Sequence, residues 1–317
     1  MKVLRGSAAA EGQLSRPIVT VGNFDGIHLG HQAILQTVAR RSADLGGDAV
    51  VYTFDPHPRK VLRPESAPGL LTTLDQKVEL LAEQGIDAVV VEPFTPEFAR
   101  TEAETFIRRC LHERLGAREV YVGYDFHFGR DRAGSMRLLT ELGPRLGFSV
   151  TIIPEVRVDE GDVNSTRIRR LLADGLPEIA GRMLGRPYAV RGRIAEGDRR
   201  GRTLGFPTAN LDPESEVLPA PGVYAGWLRL LDSGVPPAET RLPVVANVGY
   251  RPTFKKGREL LAEAHVLDWE GDLYGRQVEL SFPIRLREER KFPGPDALRA
   301  QIAADAEEAR LRLREGD

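Results

Sequence analysis

Two histidines three residues apart, His28 and His31, follow a glycine-bearing turn that runs Val21-Gly22-Asn23-Phe24-Asp25-Gly26-Ile27, with Leu29 and Gly30 between them. Glycines let backbone N–H groups approach an anion closely, and a helix that starts there adds a partial positive charge. Residues spaced by three share one face of a first helical turn, so both imidazoles would donate to phosphoryl oxygens that gain charge during transfer. A second set lies near residue 210. Thr208 and Asn210, two apart on an extended segment, point to one side and offer hydroxyl and amide oxygens, hard donors suited to Mg²⁺ on a nucleotide. Ahead of them Gly197, Gly201 and Gly205 interleave with Arg199, Arg200 and Arg202, which suits a loop covering phosphates. Neither a Walker loop nor the protein-kinase motif set occurs, so phosphoryl transfer here needs another arrangement.

The elements that must hold these residues fall into two textures. Between Ile18 and Pro154, the continuous β-branched runs 18–21, 48–54, 87–92, 119–123 and 148–153 alternate with helical patterns, as strands buried on both faces do. A doubly wound α/β sheet follows. In one of its helices Thr101 and Glu104 are placed for a capping box ahead of Phe106, Ile107, Cys110 and Leu111, with Gly116 as the stop. After Arg186 the chain turns to long strand-like segments punctuated by glycine and proline, the spacing of an antiparallel barrel or sandwich, and it ends in a helix with Leu298, Ile302, Ala306, Ala309 and Leu313 on one face. The expected domains are 1–184 and 185–317.

A chain of 317 residues with Lys+Arg 44 against Asp+Glu 46 has a net charge of -2, so it offers no general attraction to nucleic acid, and small molecules are the expected partners. No stretch is long and apolar enough for a membrane span. The single cysteine, Cys110, and an N-terminus without an apolar signal run lead us to expect the cytoplasm.

The string from Gly22 to Gln32 resembles the HxGH signature of nucleotidyltransferases, in its bacterial FAD synthetase form. Further segments agree in order: Phe54-Asp55-Pro56-His57-Pro58, Val122 to Gly129, and Asn164-Ser165-Thr166-Arg167-Ile168-Arg169. The string Gly192 to Leu211 resembles the riboflavin kinase signature, supported by Pro221-Gly222-Val223-Tyr224-Ala225, Asn247 to Phe254, and Glu263 to Asp268. Together they resemble the bacterial bifunctional riboflavin kinase/FAD synthetases over nearly the whole chain. The pattern departs at His127, where the family often has Arg, and at Asn164, where a small residue is usual.

The resemblance implies a Rossmann-like nucleotidyltransferase domain followed by a six-stranded kinase barrel with a terminal helix. Riboflavin would be phosphorylated to FMN in the second and FMN adenylated to FAD in the first, with ATP as substrate and Mg²⁺ as cofactor in both. By resemblance Gly22, Phe24, His28, Gly30 and His31 hold ATP, with the two histidines catalytic, and Ser165, Thr166 and Arg169 grip its phosphates. Phe54, Pro56 and Phe128 accept the flavin, although singly such phenylalanines are more often core residues. In the barrel Gly201, Arg202, Gly205 and Pro207 would bind ATP, Thr208 and Asn210 the metal, and Glu263 would act on the riboflavin 5′-hydroxyl. Strand alternation alone leaves the direction of Glu263 open, since it shares a face with His265 and Leu267 against Ala262, Ala264 and Val266. Asp25 and Asp55 stay unassigned as metal ligands.

Overall fold

A computed structural model describes residues 1–158, 161–195, 206–231, 241–252, 258–269 and 271–315. The chain forms two compact units, one of Met1–Gly69 with Leu74–Asn164 and one of Leu70–Thr73 with Ser165–Asp317.

The first unit runs β1 (Lys2–Arg5), β2 (Ile18–Val21), α1 (Leu29–Leu45), β3 (Ala49–Asp55), α2 (Pro58–Leu62), α3 (Leu74–Glu83), β4 (Ala88–Pro93), α4 (Pro96–Ala99), α5 (Ala103–Thr105), β5 (Glu119–Gly123), α6 (Met136–Arg145) and β6 (Ser149–Ile153), with a short β7 (Arg157–Val158) and β8 (Gly161–Asp162) pair. Strands β1 to β6 form one sheet in the order β1-β4-β3-β2-β5-β6, and every pairing in it is parallel. Every residue of β2 is buried, as a central strand covered on both faces requires. Edge strand β6 departs from that pattern and exposes Ser149, Thr151 and Ile152. From β2 the chain builds outward through β3 and β4, then returns to the other side of β2 with β5. That reversal opens a crevice beyond the carboxyl ends of β2 and β5, where open α/β sheets take ligands.

Helix α1 buries Ile34, Leu35 and Val38 and stops at Gly46, which is left-handed at φ 58 and ψ 43. The capping box expected at Thr101 and Glu104 does not form. Glu102 holds the cap position of α5 without a side-chain bond. Residues Phe106–Arg114 then continue as a π-helix, with the Leu115 N–H reaching the Cys110 carbonyl at 3.2 Å. Glu104 pairs with Arg108 one turn on instead.

The second unit opens with α7 (Ser165–Ala173) and α8 (Pro177–Leu184), followed by β9 (Ala189–Ala195), β10 (Ala209–Pro213), β11 (Gly222–Leu230), β12 (Arg241–Pro252), β13 (Arg258–Val266), β14 (Gln277–Arg287) and α9 (Pro295–Glu315). These six strands close a barrel in the order β10-β13-β12-β11-β14-β9. Its inner wall pairs small residues with large ones. Ala209, Ala264, Ala246 and Tyr224 follow one another in register, and the Tyr224 ring meets Phe282 edge-on at 5.4 Å. The outer wall carries Val223, Ala225, Val245 and Leu267, which pack against Ala306, Ala309 and Leu313 of α9. Two charged devices fasten this wall. Arg310 grips Asp268 through two hydrogen bonds of 2.8 and 2.9 Å, and Arg287 holds the buried Asp305 at 2.7 Å.

Candidate active sites

In the first unit the turn after β2 lies at the sheet's crevice. His28 is the cap of α1 rather than a residue of its first turn: its backbone is extended, and its Nδ1 accepts the His31 backbone N–H at 3.3 Å. An accepting ring nitrogen carries no proton, so neutral His28 keeps its hydrogen on Nε2. The two imidazoles still meet, stacked at 3.6 Å between centroids and 16° between planes. A Cβ at position 30 would stand 3.2 Å from the His28 ring, closer than ordinary van der Waals contact, so a side chain there would press on that ring. Gly22 is constrained in the same way by the Phe24 ring at 3.0 Å, and Phe24 lies 5.1 Å from the His31 ring. The His31 pKa is held well below 6.5, first by burial, then by the adjoining His28, since two stacked rings resist carrying positive charge together, and by the Lys77 ammonium. At neutral pH this is an uncharged hydrogen-bonding ring, and its Nδ1 is buried without a partner.

The turn is strained. Phe24 and Ile27 stand at φ 47 and φ 44, a region that costs non-glycine residues roughly 1–3 kcal/mol each. The Asn23 carbonyl accepts two hydrogen bonds, from the Lys77 ammonium at 2.8 Å and the Thr53 hydroxyl at 3.3 Å. Lys77 was not legible as a site residue. Its signal is a lysine inside the apolar stripe of α3, among Leu74, Val78 and Leu81, a position that normally faces a core.

An aromatic cluster borders the strand ends. Half-buried Phe54 contacts Phe94 edge-on at 5.6 Å, and Phe128, only 7% exposed, stacks on Phe126 at 5.3 Å. Phe106 links the groups, 5.6 Å from Phe128 and 5.5 Å from Tyr52. Both phenylalanines expected at the flavin therefore belong to one connected cluster, with Phe128 at its back, and Pro56 is exposed just beyond β3. His127 is exposed, its Nδ1 2.8 Å from the Asp125 carbonyl. In the second unit, Ser165 and Thr166 open α7. Arg169 is half-buried, unlike the exposed Arg170, so it is not part of a uniformly solvated face.

The barrel site is built from register. Asn210 on β10 lies opposite Glu263 on β13, and Glu263 lies opposite Asn247 on β12. Directly paired residues share a face, so an amide, a carboxylate and a second amide form one row across three strands. The next residue in that row is Val223, which touches α9. The row is thus on the barrel's outer wall beside the helix, which fixes the direction of Glu263. His265, two residues on, has its Nδ1 2.8 Å from the Pro207 carbonyl and its ring edge-on to Phe206 at 5.3 Å. It anchors the segment that delivers Thr208. Asn247 and His265 lay in recognised segments but carried no assigned role. Gly201, Arg202 and Gly205 lie outside the described residues.

Comparison with known proteins bears on both units. Residues 11–167 match the family model described as FAD synthetase and residues 184–313 the one described as riboflavin kinase. A bifunctional riboflavin kinase/FMN adenylyltransferase from Escherichia coli K12 is 39% identical, covering 98% of this chain and 97% of its own. The protein of the same name from Pseudomonas fluorescens is 37% identical, at 98% and 97%. A solved structure titled a macrolide-efflux protein from Streptococcus pneumoniae superposes with a TM-score of 0.86 at 29% identity, covering 98% of this chain and 99% of that one. Among the described residues of the present chain, no helix is long and apolar enough to cross a membrane. With both halves matched in order and relatives at this identity over nearly the full length, the chain belongs to the bifunctional riboflavin kinase/FMN adenylyltransferase family.

Proposed function

We propose that the two activities of the family are divided between residues 1–184, which adenylate FMN to FAD, and residues 185–317, which phosphorylate riboflavin to FMN. The riboflavin kinase match beginning at residue 184 supports that division, although α7 and α8 are compact with the barrel. The single observation that carries the reading is the Asn210–Glu263–Asn247 row, a carboxylate flanked by amides on an open barrel wall.

In the kinase, Glu263 accepts a hydrogen bond from the riboflavin 5′-hydroxyl and takes its proton as the oxygen attacks the γ-phosphorus of ATP. Gly201, Arg202, Gly205 and Pro207 bind ATP, a role that the family resemblance implies. Thr208 and Asn210 present hydroxyl and amide oxygens, which fit Mg²⁺, an ion that takes few protein ligands when phosphates supply the rest. Bound there, the ion would neutralise charge on the phosphate oxygens. In the adenylyltransferase, a phosphate oxygen of FMN attacks the α-phosphorus of ATP and pyrophosphate leaves. His28 through Nε2–H and His31 as a neutral ring donate to the oxygens that gain charge. Gly22, Phe24 and Gly30 shape the nucleotide pocket, and the family resemblance assigns Ser165, Thr166 and Arg169 to the phosphates. Phe54, Pro56 and Phe128 wall the flavin. We place both reactions in the cytoplasm, where ATP is held and where a free, buried thiol such as Cys110 stays reduced.

The test is product analysis. Purified protein incubated with riboflavin, ATP and MgCl₂, and separately with FMN in place of riboflavin, should give FAD from both, with FMN appearing first from riboflavin. Conversion of neither flavin would refute the assignment, and FMN as sole product would refute its adenylyltransferase half.

A further inference from the structure

We propose that Lys77 is a positioning residue for adenylyl transfer: its buried ammonium locks the strained turn between β2 and α1 through the Asn23 carbonyl and thereby sets the places of His28 and His31. The inference rests on the histidine reading above and adds a residue outside the recognised motifs.

Lys77 is 7% exposed, and a lysine is rarely buried to that degree without a specific partner. Its partner is a backbone carbonyl rather than a carboxylate, at 2.8 Å. Thr53 on β3 shares that acceptor, so the turn is tied at one atom to a helix and to the sheet. The tie sits where it is needed. Asn23 adjoins Phe24, whose backbone is in the left-handed region along with Gly26 and Ile27, and such geometry persists only when its surroundings hold it. Asp25 and Asp55 are the carboxylates that favour the charged ammonium, while burial opposes it more strongly. Asp25 is itself a buried residue of the same turn, only 3% exposed. The same cation acts on His31, whose ring also faces His28. A fixed charge there discourages protonation of the ring that must stay neutral.

Three substitutions separate the parts of this role. Lys77→Met removes donor and charge; Lys77→Gln retains an amide donor without charge; Lys77→Arg keeps both in another shape. FAD formation from FMN is followed for each in the full chain, with FMN formation from riboflavin as the internal control. We expect Lys77→Met to lower kcat for FAD formation about 100-fold, the order of loss for a small misplacement of reacting groups, with a much smaller change in KM for ATP. Lys77→Gln should keep more of kcat than Lys77→Met, and Lys77→Arg should recover part of the loss. Without the cation the His31 pKa rises, so in the Met and Gln variants the acid limb of the kcat profile moves to higher pH. Kinase turnover should not change. Wild-type kcat in Lys77→Met, or an unmoved acid limb in Lys77→Gln, would overturn the proposal, and the Gln variant decides alone if the Met variant does not fold. His31→Ala is assayed beside them. If it still makes FAD, the site reading itself fails; if it does not while the Lys77 variants behave as wild type, only the role of Lys77 is lost.

Discussion

The spacing of His28 and His31 was readable from sequence because a turn rich in glycine ahead of a helical pattern has few other uses. Their division of labour was not. It depends on His28 leaving the helix to cap it, a choice made by the turn's backbone rather than by the two residue types. The lowered pKa of His31 also arises only in the folded chain, from burial and two neighbours distant or adjacent in sequence. That shift has a stability consequence with a definite sign. In the unfolded chain His31 binds a proton near its ordinary value of 6.5, whereas in the folded chain it does so only at lower pH. Above pH 6.5 the ring is neutral in both states and costs nothing. Below it the unfolded state takes up a proton that the folded state refuses, so stability falls by up to about 1.4 kcal/mol per pH unit until the folded value is reached. Replacing His31 with Gln should therefore flatten the loss of stability between pH 6.5 and that lower value, measured as the difference in urea midpoint by circular dichroism. Parallel pH dependence in wild type and variant would show that the ring is not held neutral by the fold.

The central strands were legible as elements, for β2 and β5 match the sequence runs 18–21 and 119–123 residue for residue. Burial on both faces leaves short runs rich in β-branched residues, too short for a typical helix and repeated between helical patterns. Strand β1 escaped notice because Lys2–Arg5 is four residues long, carries a charge at each end, and sits at a sheet edge. The π-helical stretch escaped for another reason: its i to i−5 bonding drifts from the helical period on which the capping expectation was built. In the barrel, a device that no local pattern indicates joins three strands. Arg191 of β9 and Arg229 of β11 both bond Glu279 of β14, at 2.8 and 2.9 Å. Burial alone would push the Glu279 carboxyl up, but Arg191 and then Arg229 outweigh it and hold it below its usual value. Arg191 is 6% exposed, so truncating Glu279 takes a carboxylate from a buried cation, at a cost of about 3 kcal/mol. Glu279→Ala should lower the urea midpoint of the barrel accordingly. Trp227 and Trp269 are the chain's two tryptophans and both belong to the second unit, so their fluorescence reports this transition without interference from the first. Because the folded pKa is depressed, the stabilisation is present above the ordinary value of 4.5 and is lost as pH falls through the folded one. An unchanged midpoint at neutral pH would mean the triad is dispensable.

At the scale of the whole molecule, two chemistries share ATP as a substrate and are joined by FMN, the product of one and the substrate of the other. The proposed sites differ in build: one is a strained turn at the end of a parallel sheet, the other a polar row on the outside of an antiparallel barrel. Each unit has its own core, and no residue is assigned to both reactions. Single substitutions should therefore separate the activities. His28→Ala removes a donor to developing charge and should lower FAD formation from FMN by about 10²–10³, while riboflavin still becomes FMN. Glu263→Ala removes the proposed base and should lower FMN formation by about 10²–10⁴, while added FMN still becomes FAD. The two variants mixed in one tube give the sharper result. If FMN made on one molecule leaves and is used by another, the mixture makes FAD from riboflavin after a lag that shortens as enzyme concentration rises, because FMN must first accumulate in solution. A mixture that stays blocked would contradict both single-variant outcomes, because FMN released by one variant is the substrate that the other converts. Loss of both activities from either substitution in a folded protein would instead mean that the two sites are not independent.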